Sequence, residues 1–303
     1  MGGTHLRNLL STRGVEVVGA ADIDEGKLRR AAELGVKPYR DYRRLVEAVD
    51  AVVVATPPFL HREQAVYALE RGVHVFLEKP MGVTLGDAEA IVRAAEKSGA
   101  ALSVGYCLRF HRAYEWIAGR MERLGRPLLL SHASLGRMPS TPWLGDPEKS
   151  GGMLNENGVH VLYVMYWYAG PFSAVSAVYT STPGRGIEDN LALSALHARG
   201  AVSSLAQSWS SSVDHRSWSM VFEDGAVVVD GYVSGRLRAV YGDGAVEELE
   251  FGDGEMYARE IRAFVDAVSR GEEPPVTGRD GLEVQRAVDA AYRSMREGRL
   301  VRL

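Results

Sequence analysis

Cysteine is almost absent: Cys107 is the only one in 303 residues, so no intrachain disulfide can form. The fold must then be held by its core alone, which fits a reducing, cytoplasmic setting. Lysine is scarce as well, five residues against thirty arginines, so each lysine stands out from the ordinary surface charge. A strong charge of one sign is also lacking. The formal net charge of −4 gives no electrostatic reason to bind nucleic acid. The most apolar run, Val159 to Ala169, is too short to cross a bilayer and carries His160 near its start, so no membrane role is expected. The opening residues do not follow the pattern of a signal peptide, and no repeat or low-complexity segment is visible.

What is present is ordinary globular composition, 46% hydrophobic and 24% charged, at a length that suits two domains. The first hundred residues alternate short apolar runs with helical patterns. Val15–Ala21, Ala51–Ala55, Val73–Leu77 and Leu102–Gly105 read as buried strands. Between them the helical stretches run up to Gly14, Gly35, Gly72 and Gly99, the usual helix stops. Strand–helix alternation of this kind is the signature of an α/β domain with a Rossmann-type, doubly wound parallel sheet, here placed at residues 1–108. From 109 to 303 the texture changes. A loop-rich stretch from Gly136 to Gly152 precedes an apolar helix near Asn155–Ala169. Alternating segments follow at Ala174–Thr180, Leu191–His197, Val202–Ser210, Trp218–Glu223, Ala226–Asp230, Leu237–Tyr241 and Val246–Phe251. Turns at Glu223–Asp224–Gly225 and Gly242–Asp243–Gly244 make this an α+β domain with an open, largely antiparallel sheet. Helices at Tyr257–Ser269 and Gly281–Glu297 complete the pattern.

Parallel sheets bind ligands at the carboxyl ends of their strands. Asp22 lies at such an end, where a carboxylate accepts from both adenosine ribose hydroxyls and repels a 2′-phosphate, favouring NAD over NADP. A helix cap is the other use for a carboxylate here, and Asp24 is better placed for it. Gly2 and Gly3 read as the end of a glycine turn that lets the helix Thr4–Arg13 aim its positive N-terminus at a pyrophosphate. The strand that should come before that turn, central in a doubly wound sheet, is missing, so the natural start is expected roughly ten residues upstream. Met1 would then be an internal residue of the turn. Thr56–Pro57–Pro58 breaks off the second strand where a dinucleotide would lie, with His61 close behind. Glu78–Lys79–Pro80 ends the third. A lysine after an apolar strand is a compact donor that suits catalysis better than a random surface charge.

The run Val52 to His61, the run Gly72 to Pro80, Gly105–Tyr106 with Arg109–Phe110, and Gly151–Gly152–Met153–Leu154 followed by Glu156, Gly158 and His160 resemble the glucose–fructose oxidoreductase / inositol dehydrogenase (Gfo/Idh/MocA) family. Asp189–Asn190 and Pro275–Gly281 are similar to it too, so the likeness spans nearly the whole chain. The resemblance implies hydride transfer between a nicotinamide cofactor and a sugar, inositol or related polyol, and a homodimer or homotetramer built through the second domain. The family lysine maps onto Lys79 and the family histidine onto His160. Glu156 stands where the family usually has aspartate, and Tyr163 where it often has another, which bears on the substrate.

The residues agree with those roles. Glu156 and His160 are four apart, so they share a helix face. A carboxylate beside an imidazole fixes its tautomer and raises its basicity. Imidazoles titrate near about pH 6.5, as a base for an alcohol proton should. Lys79 would donate to the substrate oxygen. Tyr106, Arg109, Trp143 and Asn157 are candidate substrate contacts beside His160. Thr56, Pro57, His61, Glu78 and Lys79 join Gly2, Gly3 and Asp22 as candidate cofactor contacts. The histidines are too scattered for a metal site. A non-catalytic nucleotide- or sugar-sensing regulator on the same fold is the competing reading.

Overall fold

The computed structural model describes residues 1–252 and 255–303, and the chain divides into two compact units. The first comprises 1–82, 86–106 and 257–282; the second comprises 83–85, 107–256 and 283–303. The chain thus crosses between units more often than a single cut near residue 108 provides for.

In the first unit the elements run α1 (Gly2–Ser11), β1 (Ala20–Ala21), α2 (Glu25–Glu33), β2 (Pro38–Tyr39), α3 (Tyr42–Val46), β3 (Ala51–Val54), α4 (His61–Leu69), β4 (His74–Leu77), α5 (Leu85–Ser98) and β5 (Leu102–Val104). Every strand pair is parallel. The strands form two separate ladders, β1–β2 and β3–β4–β5. Among the described residues no strand bridges β1 and β3. The same gap explains why Val15–Gly19 is not a strand: an extended segment counts as one only when a neighbour completes its hydrogen bonds, and Ala20–Ala21 pair with β2 alone. Apolar side chains of β4 are fully buried, while those of Ala51, Val52 and Val53 in β3 are half-buried. Gly2 and Gly3 lie inside α1, which starts two residues earlier than the sequence suggests, with Met1 as its cap.

The second unit contains α6 (Arg112–Ala118), α7 (Met121–Leu124), β6 (Pro127–Arg137), α8 (Pro147–Ser150), α9 (Val159–Ala169), β7 (Phe172–Thr180), β8 (Asn190–His197), β9 (Val202–Ser208), β10 (Ser210–Phe222), β11 (Gly225–Gly231), β12 (Gly235–Tyr241) and β13 (Val246–Phe251). Then come α10 (Met256–Arg270), α11 (Gly278–Glu297) and β14 (Val301–Arg302). The nine strands β6–β14 form one open sheet in the order β13-β12-β11-β10-β6-β9-β8-β7-β14, antiparallel except for β6 with β9. The two Gly-containing turns close the β10–β11 and β12–β13 hairpins. Strand β6, in the middle of the sheet, is the element the sequence hides. Its inward positions are Leu130, His132, Ser134 and Gly136, so the buried face is mostly polar or small and the usual alternation is masked. Residues 257–270 of α10 belong with the first unit. There Ile261 and Phe264 bury against Phe76 of β4, together with Leu9 of α1 and Ala51 and Val53 of β3.

Trp218 of β10 is fully buried, stacks on His132 at 4.3 Å and donates to the Tyr114 hydroxyl at 3.1 Å. Burial, helped by the positive charge of Arg216, pushes the His132 imidazole down to about 3. The folded ring therefore stays neutral while an unfolded one gains a proton below its ordinary value near 6.5. Stability from this residue is complete above that value and is lost as the pH falls toward about 3. Urea unfolding between about pH 6 and about pH 4 should show wild type losing about 1.4 kcal/mol per pH unit more than His132→Phe. Parallel curves for the two proteins would refute the assignment.

Candidate active site

The nucleotide side is built in the first unit. A Cβ added to Gly2 would sit 3.9 Å from the Cβ of Ala55, so the start of α1 lies against the carboxyl end of β3. The first turn of α1 holds no carboxylate, which leaves its positive N-terminus available to a phosphate. Asp22 follows β1. Its Oδ1 accepts from the Asp24 amide at 2.9 Å and its Oδ2 lies 3.2 Å from the Lys27 ammonium, with the side chain part exposed. Asp24 caps α2 by accepting from the amides of Gly26 and Lys27, which holds its carboxyl below the ordinary range. Asp22 is thereby left for another use. These residues fit a bound dinucleotide.

Thr56 donates its hydroxyl to Gln64 at 2.8 Å, and Pro57 starts the short turn Pro58–Leu60. His61 is fully buried, with Nδ1 2.8 Å from the Pro80 carbonyl and Nε2 2.7 Å from the Thr56 carbonyl. Both nitrogens are spent inside the protein, so His61 clamps the loops after β3 and β4 rather than touching a dinucleotide. Burial lowers its pKa. Glu78 departs from its expected role in the same way. Its Oε1 is 2.5 Å from the Nε2 of buried His5 and its Oε2 accepts from the Lys79 amide at 3.1 Å. Lys79 itself is half-buried just beyond β4. Tyr106 has no exposed surface, so it is packing rather than a substrate contact in this conformation.

The second unit carries the candidate acid–base pair. Residues Leu154–Gly158 form a single π-helical turn that runs directly into α9. Such wide turns recur at functional sites because they re-aim side chains. From Met153 to Met165 every residue is buried except Glu156, Asn157 and His160, which are half-buried. The Asn157 side-chain oxygen accepts from Gln207 of β9 at 2.5 Å. Tyr163 is buried in the core. Arg109 stacks its guanidinium on the Trp167 ring at 4.2 Å, and Trp143 is a half-buried turn residue before α8.

The π turn is pinned from below. Glu188 accepts from the Leu154 amide at 2.9 Å and from the Tyr292 hydroxyl at 2.6 Å, and burial raises its pKa. Asn155, wholly buried, donates to the Ser150 carbonyl at 2.9 Å and accepts from Gln285 at 2.8 Å. Gly151 and Gly152 take positive φ of 74° and 96°, and a Cβ on Gly152 would collide with the Glu188 carboxylate. Glycine is needed at 152 for both reasons.

Comparison with known proteins finds one family over both parts of the chain. Residues 1–106 match the NAD-binding Rossmann domain of the Gfo/Idh/MocA oxidoreductases, and residues 120–303 match their C-terminal alpha/beta domain. The chain belongs to the Gfo/Idh/MocA family. A D-xylose 1-dehydrogenase (NADP(+)) of Haloferax volcanii is 28% identical over 304 residues, 95% of this chain and 92% of that protein. A myo-inositol 2-dehydrogenase of Thermotoga maritima is 27% identical over 321 residues, covering 100% and 96%. The crystal structure of an aldose-aldose oxidoreductase from Caulobacter crescentus, complexed with glycerol, superposes with a TM-score of 0.86 at 25% identity, over 98% of this chain and 95% of that one.

Sequence reasoning misses the residues that support the site of this Gfo/Idh/MocA protein. Glu188 stands next to Asp189–Asn190, part of the resemblance, but its partner Tyr292 lies 104 positions away on α11. Asn155 and Gln285 are likewise far apart in sequence. His5 shows in the sequence only as part of the opening Met1–His5 run.

Proposed function

We propose that this oxidoreductase is an NAD-dependent dehydrogenase acting on a CH–OH group of a sugar, inositol or related polyol. The observation that carries the reading is the exposure of Glu156, Asn157 and His160 alone along an otherwise buried segment, on a π turn. When bound, the nicotinamide accepts the hydride in oxidation and returns it in reduction. His160 takes the hydroxyl proton onto a ring nitrogen as the carbon–hydrogen bond breaks. Glu156 orients that ring and favours its charged form. The Lys79 ammonium donates to the substrate oxygen and steadies the developing alkoxide. Asn157, held by Gln207, and Arg109, held by Trp167, are positioned to select the substrate by hydrogen bonding. A purely sensing protein would have no use for this acid–base set. The names of the xylose and inositol dehydrogenase relatives support the substrate class.

Asp22 supports a preference for NAD, since a carboxylate after β1 would accept from ribose hydroxyls and repel a 2′-phosphate. The open sheet supports a homodimer or homotetramer. The register places Val221, Leu129, Val202 and Leu196 side by side across β10, β6, β9 and β8, and all four are exposed. Contiguous apolar rows on an open sheet face are surfaces for association. Among the described residues no helix is long and apolar enough to cross a membrane. Together with the single cysteine this supports a cytoplasmic location, which fractionation of producing cells would check.

Three outcomes are expected. With NAD and a panel of inositols and aldoses, Lys79→Ala and His160→Ala should each lower kcat by about 10²-fold or more with cofactor affinity nearly unchanged, and Glu156→Gln should cost less than His160→Ala. Wild-type turnover in His160→Ala would place the base elsewhere. Fluorescence titration should give a lower Kd for NADH than for NADPH, with Asp22→Ser narrowing the gap; equal affinities in wild type would remove Asp22 from the ribose. Sedimentation equilibrium should give a dimer or tetramer mass, and Leu129→Lys should shift it toward monomer. A monomeric wild type would end the interface assignment.

A further inference from the structure

Beneath Lys79 lies a second group of ionisable side chains that the proposed chemistry does not use. His5 of α1, Glu78 after β4 and Glu260 of α10 come from three distant segments, yet one ligand-type atom of each lies within 4.8 Å of the others. All three are buried, at 1%, 6% and 1% exposure. His5 is wedged against the rings of Phe76 at 5.2 Å and Tyr257 at 6.4 Å. Glu78 is committed on both oxygens, one to the His5 ring and one to the Lys79 amide, and its Oε2 would lie 3.2 Å from a Cβ on Gly105. Both oxygens of Glu260, by contrast, have no hydrogen-bond partner, although one of them faces this group.

Three acceptor-rich side chains in one place suggest either a cation or a proton. The distance between His5 Nε2 and Glu78 Oε1 decides between them. At 2.5 Å the two atoms are at hydrogen-bond range and closer than two ligands on one divalent ion sit, since metal–ligand bonds of about 2.1 Å in tetrahedral array hold their donors more than about 3 Å apart. A proton already joins this pair. That leaves Glu260, a buried carboxyl whose charged neighbour is the anion of Glu78. Two anions at this separation in a dry interior repel strongly, and a carboxyl so placed keeps its proton.

We propose that the buried Glu260 is a carboxylic acid held against the hydrogen-bonded His5–Glu78 pair, and that this cluster positions Lys79. Glu78 ties His5 of α1 to the backbone amide of Lys79, with Glu260 of α10 buried beside the pair, and so sets where the ammonium is presented. Burial and the Glu78 charge both raise the Glu260 pKa well above the usual value. Burial pushes Glu78 up, but hydrogen bonding and charge from His5, together with the Lys79 charge and amide, bring it below the usual value overall. The other groups facing the cluster are His61, which feels the Glu78 charge, and Tyr257. The positioning role rests on the assignment of Lys79 above; the protonation of Glu260 does not.

Infrared difference spectra of the full-length protein at neutral pH test the acid directly. A protonated-carboxyl carbonyl band is expected in wild type and absent in Glu260→Gln, which should fold because an amide replaces a neutral acid of the same shape. Absence of the band, or its survival in Glu260→Gln, overturns the protonation. Equilibrium dialysis with Zn²⁺ and with Mn²⁺ is expected to show no bound metal that Glu260→Gln removes; one equivalent lost on that substitution would make the group a metal centre instead. Positioning is read from the pH profile of kcat/KM. Glu78→Gln removes the anion beside Lys79 and should move the alkaline limb to lower pH, lowering kcat by about tenfold with a smaller change in KM. A profile superimposable on wild type would reduce the cluster to packing. If Lys79→Ala kept full activity while the carboxyl band behaved as expected, the assignment of Lys79 would fail and the buried acid would stand.

Discussion

The fold of the first unit depends on one carboxylate. Glu78 follows a strand whose apolar side chains are fully buried, where a charge should not be, and it is tolerated because both of its oxygens are occupied. One partner, His5, brings in the first helix; the other is the backbone of Lys79 itself. A buried carboxylate with good partners is worth little in net stability, but removing either partner leaves a charge stranded in the core. The pair therefore acts as a registration device, fixing α1 against the end of β4. The His61 ring does the same for the neighbouring loops, its two nitrogens facing the Pro80 and Thr56 carbonyls.

The second unit solves a similar problem with different means. A half-exposed histidine and glutamate have to stand on an otherwise apolar segment without loosening it. The π turn provides the offset, and Glu188, Asn155, Gln207, Gln285 and Tyr292 supply buried polar contacts that hold the turn and its flanks. The nine-stranded sheet carries Gln207 and packs its inner face around Trp218 and His132. The candidate pair Glu156 and His160 is thus close in sequence, while the residues that hold its turn come from far along the chain.

That division explains what can be read from the chain without its shape. The parallel strands at 51–54 and 74–77, the hairpins at 223–225 and 242–244, and the residues Lys79, Glu156 and His160 all announce themselves locally, by periodicity, turn chemistry or motif. Val15–Gly19 does not become a strand because pairing, not composition, makes one. Strand β6 escapes notice because its inward positions are polar or small. His61 and Glu78 look like ligands in sequence and prove to be internal struts, since a motif records which residues recur but not which way they face. Glu260 and Tyr292 give no local sign at all; each matters only through a partner far along the chain.

Cys107 has a practical consequence. Its side chain is buried at 4% exposure, so the native surface offers thiol reagents nothing to react with. A spectroscopic label attached to one introduced surface cysteine would therefore report from that site alone. Local changes around that site could be followed in the otherwise unaltered protein, without first deleting a native thiol.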